Sequence, residues 1–174
     1  ITGISTMNIQ NFLTIAMVVL IGAGILCARA HNQAPSEPVT EATSAADIVV
    51  YKTEFCGCCL DWVEHLKVKG MTVDVKNVES TMSIRDRLGV PHKLGSCHTA
   101  EIQGYWVEGH VPADLIQKLV GEKPADIRGI SAPGMPLGSP GMEGPNPMTY
   151  DIVAYHADGT TSVYATREGK ESAD

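Results

Sequence analysis

Apolar and polar residues follow patterns along the chain that predict alternating strands and helices. Ile48 to Lys52 is a short β-branched run, which is typical of a buried strand. A helix is predicted shortly after it, because apolar side chains recur there at spacings of three and four residues, and Gly70 is a natural stop. The residues of this apolar face are Cys59, Trp62, Val63 and Leu66. The pattern therefore predicts a strand followed directly by an amphipathic helix.

The rest of the chain continues the alternation. Residues 71–78 predict a second strand, and a helix from Ser80 to Leu88 is expected with Ser80 as its N-cap. Tyr105 to Val107 predicts a third strand. Pro112 then opens a helix over Ala113 to Leu119, because proline is favoured in a first helical turn.

A hairpin is predicted near the C-terminus, where Tyr150 to His156 and Thr161 to Thr166 flank Asp158-Gly159. This order of elements predicts the α/β class. A C-x-x-C pair, Cys56 and Cys59, lies where the first strand meets the first helix, which is typical of thioredoxin-like domains. The predicted fold is a single thioredoxin-like α/β domain with a C-terminal β-hairpin.

The N-terminal residues differ in kind from the rest. Residues 12–26 are nearly all apolar, and Ala28-Arg29-Ala30 provides the small-x-small pattern of a cleavage site. The run is short for a membrane span, so a cleaved signal peptide is preferred over an uncleaved anchor. We expect a signal peptide over 1–30 with its true start at Met7, a linker over 31–47, the folded domain over 48–168 and a tail over 169–174.

Charge and export narrow the functional classes. The net charge of −7 gives no electrostatic case for binding nucleic acid or an anionic membrane surface. A signal peptide predicts a periplasmic location, which is an oxidising compartment where cysteines pair unless a metal or a reductant holds them.

The cysteines are the strongest chemical signal. Cys27 belongs to the predicted leader, which leaves four cysteines, three of them within the four residues Cys56 to Cys59. Disulfide frameworks spread their cysteines through a domain, so this clustering argues against one. A dithiol oxidoreductase needs only two sulfurs, whereas thiolates suit the soft metals Cu(I) and Zn(II). The third thiol, Cys58, therefore favours a soft-metal site.

Three further residues are candidate ligands. Cys97 lies in a loop of small residues, and we favour a ligand over a buried core cysteine or a disulfide partner because three other cysteines are clustered. A ligand role is somewhat favoured for His98, because it is adjacent to Cys97 in the chain. For His110, a ligand and a hydrogen-bonded histidine at a helix start are equally compatible with the sequence. The predicted metal ligands are Cys56, Cys58, Cys59, Cys97, His98 and His110.

The remaining soft or basic side chains are expected to have other roles. His65 is predicted to lie on the surface, His92 in a loop and His156 in the hairpin. Met135, Met142 and Met148 lie in a loop rich in proline and glycine. Methionine fills irregular apolar gaps, so packing is favoured over ligation for each of them, and the loop as a whole is expected to cover the cysteine site.

These motifs together resemble the CopG-type periplasmic copper-resistance proteins, a thioredoxin-like family. The matching stretches are Cys56-Gly57-Cys58-Cys59, Val90-Pro91, Leu94-Gly95-Ser96-Cys97-His98-Thr99-Ala100, Gly104-Tyr105, Val107-Glu108-Gly109-His110-Val111-Pro112-Ala113, Arg128-Gly129-Ile130, Pro133-Gly134-Met135-Pro136 and Gly138-Ser139-Pro140-Gly141-Met142-Glu143. The resemblance implies copper handling, with Cu(I) bound by the four cysteines as one or several ions and with its oxidation state cycled. It also implies other periplasmic copper-handling proteins or a thiol reductant as partners.

Two other functions stay open at the level of sequence. The C-x-x-C spacing on a predicted thioredoxin-like order is compatible with a thiol–disulfide oxidoreductase. A passive metal-binding module without turnover is the third reading, so enzymatic activity as a copper oxidoreductase is left as a hypothesis.

Overall fold

Seven strands form one mixed sheet in residues 47–170, the part of the chain that the computed structural model describes. The strands are β1 (Ile48–Lys52), β2 (Val73–Asn77), β3 (His98–Ile102), β4 (Tyr105–Glu108), β5 (Ile127–Ser131), β6 (Thr149–His156) and β7 (Thr161–Glu168). The helices are α1 (Gly57–Val68), α2 (Met82–Leu88) and α3 (Ala113–Glu122), with a 3-10 turn at His92–Leu94. Residues 47–170 lie within one compact unit. The predicted signal peptide, and the linker except for Asp47, lie outside the described residues.

The strands are ordered β2-β1-β3-β4-β5-β6-β7 across the sheet. β1 runs parallel to β2 and β4 runs parallel to β5, while the other neighbours are antiparallel. Helices α1 and α3 lie in the connections that lead into the two parallel pairings, since a parallel connection needs a crossover. The predicted α/β class and the C-terminal hairpin are confirmed, and the thioredoxin-like topology stays a prediction. Within residues 47–170, no helix has the length and apolar character needed to cross a bilayer.

Two local predictions were wrong, and one strand was missed. The region expected to hold one third strand forms two, β3 and β4, joined by a turn in which Gln103 and Gly104 both have positive φ. β5 was not predicted at all. The N-cap of α2 is Thr81, although the Ser80 hydroxyl does accept a hydrogen bond from the Met82 amide (3.2 Å).

The two faces of the sheet are covered by different elements. Side chains of successive strand residues point to opposite faces of the sheet, so the contacts of two neighbouring residues show what covers each face. Val107 belongs to the main core, which includes Trp62 of α1 and Ile116 of α3. Its neighbour Trp106 belongs to a second cluster with Leu94, packed beside the end of α2. Helices α1 and α3 therefore cover one face, and α2 with the 3-10 turn covers the other.

Candidate metal centre

The cysteine motif lies at the carboxyl end of β1. Cys56 is the N-cap of α1, with φ −76° and ψ 95°, and the next three residues form the first helical turn. Lys52 at the end of β1 is buried, and its Nζ donates to the Glu54 carbonyl (3.2 Å), which fixes the short turn before the motif. The free amides of a helix start favour negative charge, so the cysteines lie where a thiolate is electrostatically favoured.

Cys97 reaches the motif through the pairing of the sheet. β3 pairs with β1 so that His98 lies opposite Lys52. The residue before His98 is therefore placed beside the residues that follow Lys52. The predicted convergence of four cysteines follows from this register.

The four sulfur atoms form one cluster and lie within 4.8 Å of one another. Cys56 and Cys59 are joined by a disulfide, while Cys58 and Cys97 are free thiols. The Cys58 sulfur is 3.7 Å from that of Cys56, and the Cys97 sulfur is 3.5 Å from that of Cys59. Cys59 is fully buried and the other three are half-buried. Once the disulfide is reduced, all four sulfurs are close enough to contact a shared metal site.

His110 presents a nitrogen lone pair to the cluster. Its Nδ1–H donates to the Pro140 carbonyl (2.8 Å), because a carbonyl can only accept. This contact fixes the neutral tautomer, so Nε2, 3.1 Å from the Cys97 sulfur, carries the lone pair. Burial lowers the pKa of His110, which keeps the ring neutral.

His98 lies beside the same sulfur. Its Nδ1 is 3.3 Å from the Cys97 sulfur, and its ring centre is 4.3 Å from that of Trp62. Burial, aided by the neighbouring His110, lowers the pKa of His98 to about 3. Its Nε2 has no hydrogen-bond partner within the described residues. The ligand atoms of Cys97, His98 and His110 also lie within 4.8 Å of one another, so Cys97 is common to two potential ligand sets.

Burial also acts on the shared thiol. Together with the nearby Cys58 thiol, it raises the pKa of Cys97 to about 12. In the metal-free protein Cys97 is therefore a neutral thiol, in contact with neutral imidazoles. A metal ion that binds here must displace this proton, as is general for thiolate sites.

The segment between β5 and β6, residues 132–148, is named the cover loop here. At one end, the amide of Gly134 donates to the Gly95 carbonyl (3.1 Å), and the Ser96 hydroxyl donates to the Gly134 carbonyl. Further along, it meets His110 through Pro140 and packs Gly141 against the first turn of α1. The loop that leads into β3, residues 95–97, is called the Cys97 segment. The cover loop thus bridges the Cys97 segment and the cysteine motif.

The secondary candidates occupy varied positions. His65 was expected on the surface, but it is half-buried and its Nε2 accepts from the Ala113 amide (3.2 Å). His92 is exposed in the 3-10 turn, and His156 lies at the end of β6. Met135 and Met148 are about half exposed (54% and 49%), so packing does not account for them, whereas Met142 is half-buried.

Sequence reasoning missed two charged residues that contact the Cys97 segment. Arg85 of α2 and Glu108 of β4 form a buried ion pair with 2.7 Å between Nε and Oε1. Both also hydrogen-bond to Ser96. The residues are far apart in the chain, so only the register of β3 and β4 and the position of α2 reveal their proximity.

Comparison with known proteins agrees with this site. The profile of a family described as a protein of unknown function, DUF411, matches residues 94–142, which include Cys97 and both histidines. A solved structure described as copper resistance protein copG, Form 2, is 47% identical over 69% of this chain and 96% of its own, with a TM-score of 0.63. This chain belongs to the CopG family of copper-resistance proteins. The Form 1 structure of the CopG protein gives 47% identity over 70% of this chain and 97% of its own, with a TM-score of 0.62. No curated protein sequence matches the chain.

The donor set fits a copper-related role for this CopG family member. Thiolates and neutral imidazoles are ligands for soft and borderline ions, and both are present within one cluster. Carboxylate ligands, which would favour hard ions such as Mg²⁺ or Ca²⁺, do not belong to either ligand set found in residues 47–170.

Proposed function

We propose that this protein is an exported, periplasmic copper-binding protein that holds Cu(I) through Cys56, Cys58, Cys59 and Cys97. The observation that carries the proposal is the cluster of four sulfur atoms within 4.8 Å, in a chain of the CopG family. Thiolates are preferred ligands of Cu(I). The reduced form of the Cys56–Cys59 disulfide supplies the two sulfurs that are not free in the oxidised protein.

The chemistry of the thiolate allows a site for more than one copper ion. A thiolate has several lone pairs and can bridge two Cu(I) ions, so four sulfurs within 4.8 Å of one another can hold a cluster of ions that share them. The lone pair of His110 Nε2 adds a nitrogen ligand on the Cys97 side. His98 is the alternative nitrogen ligand there, because its Nδ1 also faces Cys97.

We also propose that the protein changes the oxidation state of copper, by reducing Cu(II) to Cu(I). The reduced Cys56 and Cys59 pair can give one electron to each of two Cu(II) ions. The Cys56–Cys59 S–S bond then forms, two protons leave to solvent and two Cu(I) ions result. A thiol reductant would return the disulfide to the dithiol. Cys58, Cys97 and the two histidines do not take part in this reaction and remain as ligands for the Cu(I) product.

A thiol–disulfide oxidoreductase is the second candidate function. The Cys56–Cys59 disulfide at the start of α1 favours it, with Cys56 half-buried and Cys59 fully buried. Such a pair provides one accessible sulfur for attack and one protected sulfur for resolution. Cys58 argues against it, since a third thiol 3.7 Å from Cys56 competes for the mixed disulfide.

Anaerobic titration of the reduced protein with Cu(I) tests the copper proposal, read by metal analysis and by sulfur-to-copper charge-transfer absorption. Binding of several Cu(I) ions that falls in Cys97→Ser supports the shared cluster. Unchanged stoichiometry and affinity in Cys97→Ser would refute a four-cysteine site. The titration uses the protein without residues 1–30, so that Cys27 of the predicted leader contributes no thiol.

Two further measurements separate redox functions. Anaerobic addition of Cu(II) to the reduced protein should yield one Cu(I) for each thiol lost, with the new disulfide mapped to Cys56 and Cys59 by peptide mass spectrometry. Loss of thiols from another pair would contradict the proposed cycle. Copper-independent reduction of insulin disulfides at a high rate would instead favour the oxidoreductase.

A further inference from the structure

Glu108 is a fully buried carboxylate whose hydrogen bonds converge on the Cys97 segment. Its side chain has 0% exposure. Oε1 accepts from Arg85 Nε and from the Ser96 amide, both at 2.7 Å, and Oε2 accepts from the Thr99 hydroxyl at 2.6 Å. Two of these three donors lie on either side of Cys97. Burying a carboxylate is costly unless its oxygens are satisfied, and here both oxygens are.

Arg85 holds the same segment from the other side. Its side chain is only 14% exposed, and Nη2 donates to the Ser96 carbonyl. The Ser96 amide is bound by Glu108 and its carbonyl by Arg85, so the ion pair holds both main-chain polar groups of the residue before Cys97.

The end of β4 is shaped for this close contact. Gly109 follows Glu108 with φ +71°, and a Cβ there would lie 2.5 Å from the Ser96 hydroxyl. Only glycine lets the Ser96 side chain lie this close to the residue after Glu108 without strain. The amide of Gly109 also donates to the His98 carbonyl (3.0 Å), on the far side of Cys97.

The energetics favour a role in placement over a role in stability. Buried ion pairs often contribute little net stability compared with apolar residues of the same size, because both charges must be desolvated. Such a pair does fix the positions of the groups bonded to it, since guanidinium and carboxylate groups form hydrogen bonds only in specific geometries. The geometry imposed here is that of the two peptide units that flank Ser96, the second of which joins Ser96 to Cys97.

We infer that Arg85 and Glu108 are positioning residues that place the Cys97 sulfur for metal binding. They hold it 3.5 Å from the Cys59 sulfur and 3.1 Å from His110 Nε2. The inference rests on the proposed Cu(I) site. Changes in groups that orient metal ligands typically weaken metal affinity about 10–100-fold. We expect a loss of that size when the ion pair is removed.

The test uses two variants of the whole protein. Glu108→Gln keeps the shape of the side chain but has one acceptor oxygen instead of two. The double variant Arg85→Met with Glu108→Gln removes both charges, so that neither is left buried alone. Cu(I) affinity is measured anaerobically by competition with bathocuproine disulfonate, and thermal unfolding of the metal-free protein is recorded alongside.

The matched control is another ion pair between α2 and the sheet, which joins α2 to β3. Arg87 Nη2 lies 2.6 Å from Glu101 Oε1, but both side chains are partly exposed (50% and 32%). The double variant Arg87→Met with Glu101→Gln removes an ion pair between α2 and the neighbouring strand β3 without touching Ser96. It should bind Cu(I) as the native protein does.

A Cys97→Ser background distinguishes positioning from general loss of structure. If the ion pair acts through Cys97, Glu108→Gln weakens Cu(I) binding about 10–100-fold in the native background and has no further effect in Cys97→Ser. Native affinity in Glu108→Gln, or an equal loss in both backgrounds, overturns the inference. If the native protein itself binds no Cu(I) through Cys97, the proposed function fails first, and that result is distinct.

Discussion

Gly141 of the cover loop lies directly against Trp62 of α1. A Cβ at Gly141 would be 2.6 Å from the Trp62 amide nitrogen and 2.8 Å from the Cys58 carbonyl oxygen. The residue also has φ +79°, a conformation that side chains other than glycine rarely adopt. The position of the cover loop over the first turn of α1 therefore depends on the absence of a side chain at this residue.

Gly141→Ala is expected to destabilise the protein by about 1–3 kcal/mol, because either the loop or the helix must move. Gly144→Ala is the control in the same loop, since a Cβ there meets nothing within 4 Å. Thermal unfolding measures the difference. Gly141→Ala should also increase the alkylation rate of Cys58, because the added Cβ meets the Cys58 carbonyl oxygen. Equal stability of the two variants would show that the cover loop is not tightly packed on α1.

The stability of the metal-free protein should fall as the pH is lowered from about 6.5 towards 5. The pKa of His98 is lowered to about 3 by burial and by His110, and the pKa of His110 is also lowered by burial. Near pH 6.5 these two histidines therefore bind protons in the unfolded chain but stay neutral in the folded chain. The stability that each histidine contributes is complete above its pKa in the unfolded chain. It is lost as the pH falls towards the pKa in the folded chain, by up to about 1.4 kcal/mol per pH unit for each histidine.

Urea unfolding at several pH values between 7 and 5 measures this slope. His98→Asn should reduce it, while His92→Asn should leave it unchanged because His92 is exposed. Burial raises the pKa of Glu108, and such a group adds stability as the pH falls from its raised pKa towards the ordinary value of 4.5. The assignment therefore depends on the difference in slope between the native protein and His98→Asn, which both contain Glu108. A flat profile, or an equal slope in His98→Asn, would contradict the assignment.

Cys97 should react slowly with alkylating reagents in the reduced, metal-free protein. Its pKa is raised to about 12 by burial and by the neighbouring Cys58, so little thiolate is present near pH 8. Iodoacetamide labelling followed by peptide mass spectrometry measures each cysteine separately. Unfolding in urea should bring Cys97 to the rate of an ordinary thiol. Rapid labelling of Cys97 in the folded protein would show that it is accessible or ionised.

The sequence predicted those elements whose signals are local. β1 and the apolar face of α1 follow from residues adjacent in the chain, and the Asp158-Gly159 turn was sufficient for the β6–β7 hairpin. The β3–β4 hairpin was missed because its Gln103-Gly104 turn lacks the Asn-Gly or Asp-Gly signal, although both residues have positive φ. Gly129 weakens the strand pattern of β5, yet a Cβ there would lie 2.1 Å from the Trp106 ring.

The same limit applies to the metal centre. The cysteine motif is local and was recognised from its spacing. For Cys97 the sequence could favour a ligand role but not establish it, because the proximity of Cys97 to the motif depends on the pairing of β3 with β1. The Pro140 carbonyl that orients His110 lies 30 residues away in the chain. Arg85 and Glu108 are ordinary charged residues in sequence, and only their burial and their shared contact with Ser96 distinguish them.

The two tryptophans should respond differently to replacement by phenylalanine. Trp62 is fully buried, and its Nε1 donates to the Val111 carbonyl at 2.8 Å. Trp62→Phe leaves that carbonyl without its donor and opens a cavity, at a cost of about 2–5 kcal/mol. Trp106 is also buried, but its Nε1 has no hydrogen-bond partner within the described residues. Trp106→Phe removes an unsatisfied donor, which offsets part of the lost packing.

Chemical denaturation of both variants measures the contrast, with Trp62→Phe expected to be the less stable. The effect of Trp62→Phe should extend to the metal centre, because Val111 follows His110 and the Trp62 ring packs on His98. We therefore expect weaker Cu(I) binding in Trp62→Phe and native binding in Trp106→Phe, which lies on the other face of the sheet. Equal losses of stability and affinity in the two variants would show that the Trp62 hydrogen bond has no specific role in holding the histidines.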